Sequence, residues 1–191
     1  MWRLFACALL VSLAAGFVAQ SLLGASADRG PRIRAVRAKA DAFVSGAKRT
    51  SNFGAMQDLR VDAAPRVRTY MRFKADVSSA AVEHVSILLW SRTGSRSGYR
   101  VRLVEDGWRE RLITYANAPA LSTDYVASGP LQAGAWKAVD VTSLTDRVSG
   151  RDHYVSLALT TASPKGVDLA SREAGLHGPR LIVERGENED D

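Results

Sequence analysis

The chain has 191 residues, 26 Lys and Arg against 20 Asp and Glu, a formal charge of +6 and a single cysteine. One cysteine excludes an internal disulfide framework and a thiolate zinc site, so the fold must rest on its apolar core. The length allows one domain with a sizeable buried interior.

Residues 4–27 carry no charge and follow Arg3, and Ala25-Ser26-Ala27 has the small-x-small form of a processing site ahead of Asp28. This is the layout of a secretory signal over 1–27. Its rival is a membrane anchor, for which about 20 apolar residues suffice. Arg29, Arg32, Arg34, Arg37 and Lys39 immediately follow the apolar run, an arrangement that disfavours an anchor with the domain outside. Export is therefore expected, with no stable membrane anchor once the signal is removed. Cys7 lies inside the segment that cleavage would take away, which would leave no thiol for catalysis or metal binding.

A basic segment over 28–35 is expected to precede a folded body over 36–185 and an acidic, disordered tail over 186–191. Residues 28–183 hold 24 basic against 15 acidic side chains, and Arg outnumbers Lys 21 to 5 over the chain. Such a body suits a polyanion, and export points to an acidic polysaccharide or wall polymer rather than nucleic acid.

Alternation with a period of two dominates this body. Val67, Thr69, Met71 and Phe73 alternate with Arg68, Tyr70 and Arg72, which predicts a strand with one buried face and one wet, basic face. Further strands are expected at 42–45, 57–61, 82–90, 99–104, 136–141, 153–160, 166–170 and 180–184. The rows Val85, Ile87, Leu89 and Val155, Leu157, Leu159 should point inward. Gly94 to Gly98 reads as the loop of a hairpin joining 82–90 to 99–104. The one helical turn expected runs from Thr142 to Val148, capped by a hydroxyl and stopped at Gly150. So many short strands separated by turn residues predict an all-β, antiparallel β-sandwich.

Two runs stand out: Trp108-Arg-Glu110 through Ile113-Thr114-Tyr115-Ala-Asn117-Ala-Pro119, and Ser171-Arg172-Glu173 followed by Pro179-Arg180-Leu181-Ile182-Val183. Asp140-Val141-Thr142 and Ser156-Leu157-Ala158-Leu159 lie between them. Asp41-Ala-Phe43-Val44, Asn52-Phe-Gly54, Leu59-Arg60-Val61 and Tyr70-Met-Arg72-Phe73 lie ahead of them. In this order and spacing the set resembles the disaggregatase-related secreted modules known as the DNRLRE domain, carbohydrate-binding module family 96. The resemblance implies a jelly-roll-like sandwich over residues 36–185 and affinity for a carbohydrate. Members that bind the uronate polymer alginate are expected to do so through basic side chains.

Trp108, Glu110 and Asn117 admit two readings: a sugar-stacking ring with hydroxyl partners, or a plug whose polar neighbours satisfy the backbone of a long loop. The family signature favours the structural reading. Asp41, Arg172 and Glu173 likewise suggest either an ion-pair latch between terminal strands or, with nearby carbonyls, a structural calcium site. No catalytic residue is assigned. His84, His153 and His177 sit in ordinary strand or turn contexts, and the carboxylates Glu105, Asp106 and Glu110 are close in sequence without a motif. The ligand surface is assigned to Arg68, Tyr70, Arg72, Arg100 and Arg102, with Lys48, Arg49, Arg60 and Arg66 in or beside neighbouring segments. Planar guanidinium groups suit bidentate contact with carboxylates. The expectation is a secreted, non-catalytic module for an acidic, uronate-type polysaccharide; the alternative is a structural or adhesive wall-surface module.

Overall fold

A computed structural model describes residues 31–146, 148 and 153–186. The expected signal (1–27), the Gly150 helix stop and the acidic stretch 187–191 lie outside the described residues. Among the described residues eleven strands form the body: β1 (Arg32–Arg37), β2 (Ala40–Ser45), β3 (Asp58–Ala63), β4 (Arg66–Lys74), β5 (Val82–Ser91), β6 (Arg100–Leu103), β7 (Val126–Ala127), β8 (Ala135–Asp140), β9 (Tyr154–Thr160), β10 (Val167–Ala170) and β11 (Arg180–Arg185).

All pairings are antiparallel, and the sheet folds over itself into two layers. The first layer holds β1, β11, β5, β8 and β10. The second holds β2, β4, β9, β6 and β7. β3 stitches them, pairing with β10 through Asp58 to Val61 and with β4 through Asp62 and Ala63. The expected antiparallel sandwich is what the chain forms, and successive strands pass repeatedly from one layer to the other.

The alternation read in the sequence identifies the inner faces. Val85, Ile87 and Leu89 of the first layer meet Met71, Phe73, Val101, Val155, Leu157 and Leu159 of the second, all fully buried. Thr69, the polar member of its row, is buried too, and its hydroxyl donates to the Arg60 carbonyl at 2.8 Å. This interior carries most of the stability, at roughly 1.5–3 kcal/mol for each large apolar side chain taken out of water.

Three local expectations need correction. β5 and β6 are not a hairpin: Leu88 of β5 pairs with Arg180 on one edge and Ala138 on the other, so neither edge is open to β6. The Gly94–Gly98 segment instead carries the chain between layers, where Ser95 bridges to Leu131. Second, the basic segment ahead of the body is itself partly strand, because Arg32 to Arg37 pair residue for residue with Arg185 to Arg180. Its alternation hides among exposed arginines, which place only Val36 in the core. Third, the helical turn α1 (Thr142–Thr145) has no side-chain cap. The Thr142 hydroxyl is held by Asp140 at 2.6 Å and accepts the Val85 N–H at 2.9 Å, which ties the turn to β5 instead. The two-residue strand β7 was not foreseen, being too short to show a period.

Candidate functional site

The outer face of the second layer is where the predicted residues converge. In its register Arg100 of β6 lies level with Thr160 of β9, and Arg102 with Ala158. Ala158 in turn pairs with Tyr70 of β4, and Tyr70 with Ala42 of β2. The arginines of β4 and β6 therefore share one face, separated by the small side chains of β9.

That face is not wet along its length. The connection after β6 folds back across it and seals a second apolar cluster of Ala42, Val44, Tyr70, Val104, Trp108, Ile113 and Ala158. Tyr70, expected among the guanidinium groups as a ligand contact, is 0% exposed; its ring meets Trp108 edge-on at 6.2 Å and its hydroxyl donates to the Pro119 carbonyl. The physical cause is the composition of the neighbouring strands: Ala40, Ala42 and Ala158 are too small to fill their own layer and leave a trough that Trp108 and Ile113 occupy.

The arginines fasten this cover. Arg72 donates to the Trp108 carbonyl at 3.2 Å and to Asp106 at 3.3 Å, and Asp106 also accepts from the Ser156 hydroxyl. Arg102 donates to the carbonyls of Ser122 and Thr123 at 2.6 and 2.7 Å. Asn117 closes the turn within the cover, accepting the Thr114 N–H at 2.7 Å and donating to the Leu112 carbonyl.

At the other end lies a carboxylate cluster. Asp41, 1% exposed, donates its backbone N–H to Glu110 Oε1 at 2.8 Å and accepts the Arg172 N–H on Oδ2 at 2.7 Å. The Arg172 guanidinium bridges Glu110 Oε2 at 2.9 Å and Glu173 Oε1 at 2.7 Å. A latch between β2 and the segment before β11 is therefore present, with Asp41 gripping the backbone of Arg172 and Glu110 its side chain. Asn52 joins in, donating to the carbonyls of Glu110 and Ile113 at 2.7 Å each. Gly54 lies so close to the Glu110 backbone that any Cβ would collide with its carbonyl.

Burial raises the Asp41 carboxyl to about 7, the charges of Glu173 and Glu110 adding to the effect and the Arg172 N–H opposing it. Asp41 Oδ1 and Glu173 Oε2 are buried without a hydrogen-bond partner. One oxygen from each of Asp41, Glu110 and Glu173 lies within 4.8 Å of the others. Oxygens sharing a calcium ion at bonds of about 2.4 Å would stand this close together, while here the Arg172 guanidinium holds Glu110 Oε2 and Glu173 Oε1.

Beyond the edge of the cover the face opens into a groove of about 420 Å³, lined by Arg66, Arg68, Arg100, Arg102, Thr160 and Asp62 among others. Four arginines and one aspartate line it; Arg102 is held by the Ser122 and Thr123 carbonyls and Asp62 takes the Ala64 N–H. Tyr125, 46% exposed, lies beneath both Arg100 and Arg102 at 4.5 and 4.9 Å. Sequence reading named Arg66 only as a neighbour and gave no role to Thr160 or Tyr125, whose places depend on pairings that alternation does not specify. The three carboxylates that are close in sequence are apart in the fold: Glu105 and Asp106 line a separate groove of about 800 Å³ beside Tyr154, while Glu110 belongs to the latch.

None of the curated proteins matches the chain. Among solved structures, the chain is similar to the enzymatically active domain of tailspike protein 4 of bacteriophage CBA120, at 8% identity and a TM-score of 0.28. That likeness covers 83% of this chain and 20% of the other, so the chain spans about a fifth of its length. The model of carbohydrate-binding module family 96 matches residues 33–185, beginning inside β1 and ending at the last residue of β11. The match takes in the latch, the covered face and the groove together, and the chain belongs to carbohydrate-binding module family 96.

Proposed function

We propose that this carbohydrate-binding module is secreted, acts without catalysis, and takes an acidic, uronate-type polysaccharide in the groove of Arg66, Arg68, Arg100 and Arg102. The observation that carries the reading is the concentration of four arginines along one open groove. Guanidinium groups accept carboxylates in bidentate fashion, and Thr160 on the floor of the groove offers a hydroxyl to the sugar. A structural calcium held by Asp41, Glu110 and Glu173 would fix the cover and leave the groove's chemistry to the arginines. Glu110, the best-placed carboxylate of the signature, is committed to Arg172 and to the Asp41 backbone, which supports a binding role over an acid–base one.

An exposed ion pair contributes only about 0.2–1 kcal/mol, so one arginine cannot hold a polymer. Several acting together would give roughly 4–6 kcal/mol, dissociation constants from millimolar to tens of micromolar. Titration with alginate, pectate and a neutral glucan at 0.1 and 1 M salt (Debye lengths of about 10 and 3 Å) tests this. Tighter binding of the two uronates, weakened by salt and by Arg66→Ser with Arg100→Ser, is expected. Equal affinity for the neutral glucan, or an unaffected double variant, would overturn the acidic-ligand reading.

A further inference from the structure

The outer face of the first layer carries an aromatic cluster that belongs to none of the signature runs. Trp90, at the end of β5, pairs directly with Trp136 of β8, and their rings meet at 5.5 Å and 76°. His177, from the 3-10 segment Arg172–His177, lies 4.3 Å from the Trp90 ring and 6.0 Å from Trp136. Arg180 of β11 places its guanidinium 4.9 Å from the Trp136 ring centre and donates to the Leu176 carbonyl at 2.8 Å. Both tryptophans are partly exposed and His177 is exposed.

A second cation stands beside this cluster. Arg37, exposed on β1, is the direct cross-strand partner of Arg180. Like charges opposite each other on adjacent strands are unfavourable, and an anion between them removes the conflict. Arg180 is level with Leu88, two residues along β5 from Trp90, and its guanidinium reaches over to the Trp136 ring, so a carboxylate held between the two arginines would lie at the edge of the tryptophan pair. An exposed indole face packs against the C–H face of a pyranose, and partly exposed indoles are amphipathic enough to remain at a wet surface.

We infer that Trp90, Trp136 and His177 form a second glycan site, on the layer opposite the arginine groove, which stacks a uronate ring and directs its carboxylate to Arg180 and Arg37. The inference rests on the carbohydrate-binding reading but not on the groove. The two sites are built from different strands and respond to different variants. Stacking also resists salt, whereas the groove does not.

The test uses the full chain and two probes, a uronate hexasaccharide and a neutral gluco-hexasaccharide, followed by calorimetry and tryptophan fluorescence at 0.1 and 1 M NaCl. The variant Arg66→Ser with Arg100→Ser should keep a binding component that shifts tryptophan emission and survives high salt. Trp136→Ala should lose that component, with at least a tenfold drop in its affinity. Arg180→Gln leaves the rings in place and should weaken the uronate severalfold while sparing the neutral probe, a readout that stands even if Trp136→Ala unfolds. If both Trp136→Ala and Arg180→Gln bind like the parent, the second site is wrong and the groove reading survives. If only the groove variant loses binding, the outcome is the same. No binding by any form sinks both readings. A parent that sediments as a dimer, and a Trp136→Ala variant that does not, would make the cluster a protein interface instead.

Discussion

Asp41 shows how far one buried group can set the conditions under which the fold is stable. Its carboxyl is desolvated between β2, the cover and the segment leading to β11, and its proton affinity in the folded chain corresponds to about 7 against 3.8 for the free side chain. The folded state therefore keeps a proton that the unfolded chain releases near pH 4. The stability that Asp41 contributes is full below that value, falls as the pH rises toward 7, and is gone above it. At about 1.4 kcal/mol per pKa unit, the loss is on the order of a few kcal/mol. In a chelating buffer the melting temperature should decline across pH 4–7, and Asp41→Asn should flatten that decline; equal slopes for the two proteins would remove Asp41 as its origin. Calcium would substitute for the proton. Added calcium at pH 7.5 is expected to raise the melting temperature of the parent and leave Asp41→Asn unchanged, and a parent that gains nothing would leave Arg172 as the cluster's only counter-charge.

At the scale of an element, the cover after β6 explains which parts of the chain were legible and which were not. Alternation identified the inner rows correctly because burial on one face forces a period of two. It also predicted that the opposite face, with Arg68, Tyr70 and Arg72, would be wet. A period cannot reveal a loop that returns to cover a face, and the cue that could have was the run of alanines at Ala40, Ala42 and Ala158. The missed crossing from β5 to β6 has the same origin, since a five-residue loop permits a hairpin and only the strands already seated on both edges of β5 forbid it. The signature residues Asn52, Gly54, Trp108, Asn117 and Arg172 were recognisable as a set, whereas the role of Asp106, which accepts from Arg72 and Ser156, is assigned by contacts alone. Trp108→Ala should cost about 3–5 kcal/mol out of the roughly 5–15 that hold a typical domain together. Gly54→Ala, which drives a methyl into the Glu110 backbone, should loosen the same element. Denaturant unfolding measures both, and a Trp108→Ala protein of unchanged stability that no longer binds sugar would make the ring a ligand contact after all.

Across the whole molecule, the two proposed glycan surfaces face away from each other, one outside each layer of the sandwich. Two sites on one rigid body cannot both engage the same short oligosaccharide, so each sees a hexasaccharide independently. A long polymer is different: one module can hold two strands, or two points on one strand, and the second contact then forms at a high effective concentration. Bridging is thus the expected behaviour with high-molecular-weight alginate, appearing as turbidity or increased viscosity that peaks at intermediate protein and fades in excess, when each strand is coated. Arg66→Ser with Arg100→Ser, and separately Trp136→Ala, should each abolish bridging while retaining hexasaccharide binding at the intact site. Cross-linking that persists in both variants would trace instead to the excess of basic charge over residues 28–183, 24 against 15. Bridging through the groove and unspecific cross-linking both fade at 1 M salt, since each relies on screened charge, so persistence in the two variants is what separates them.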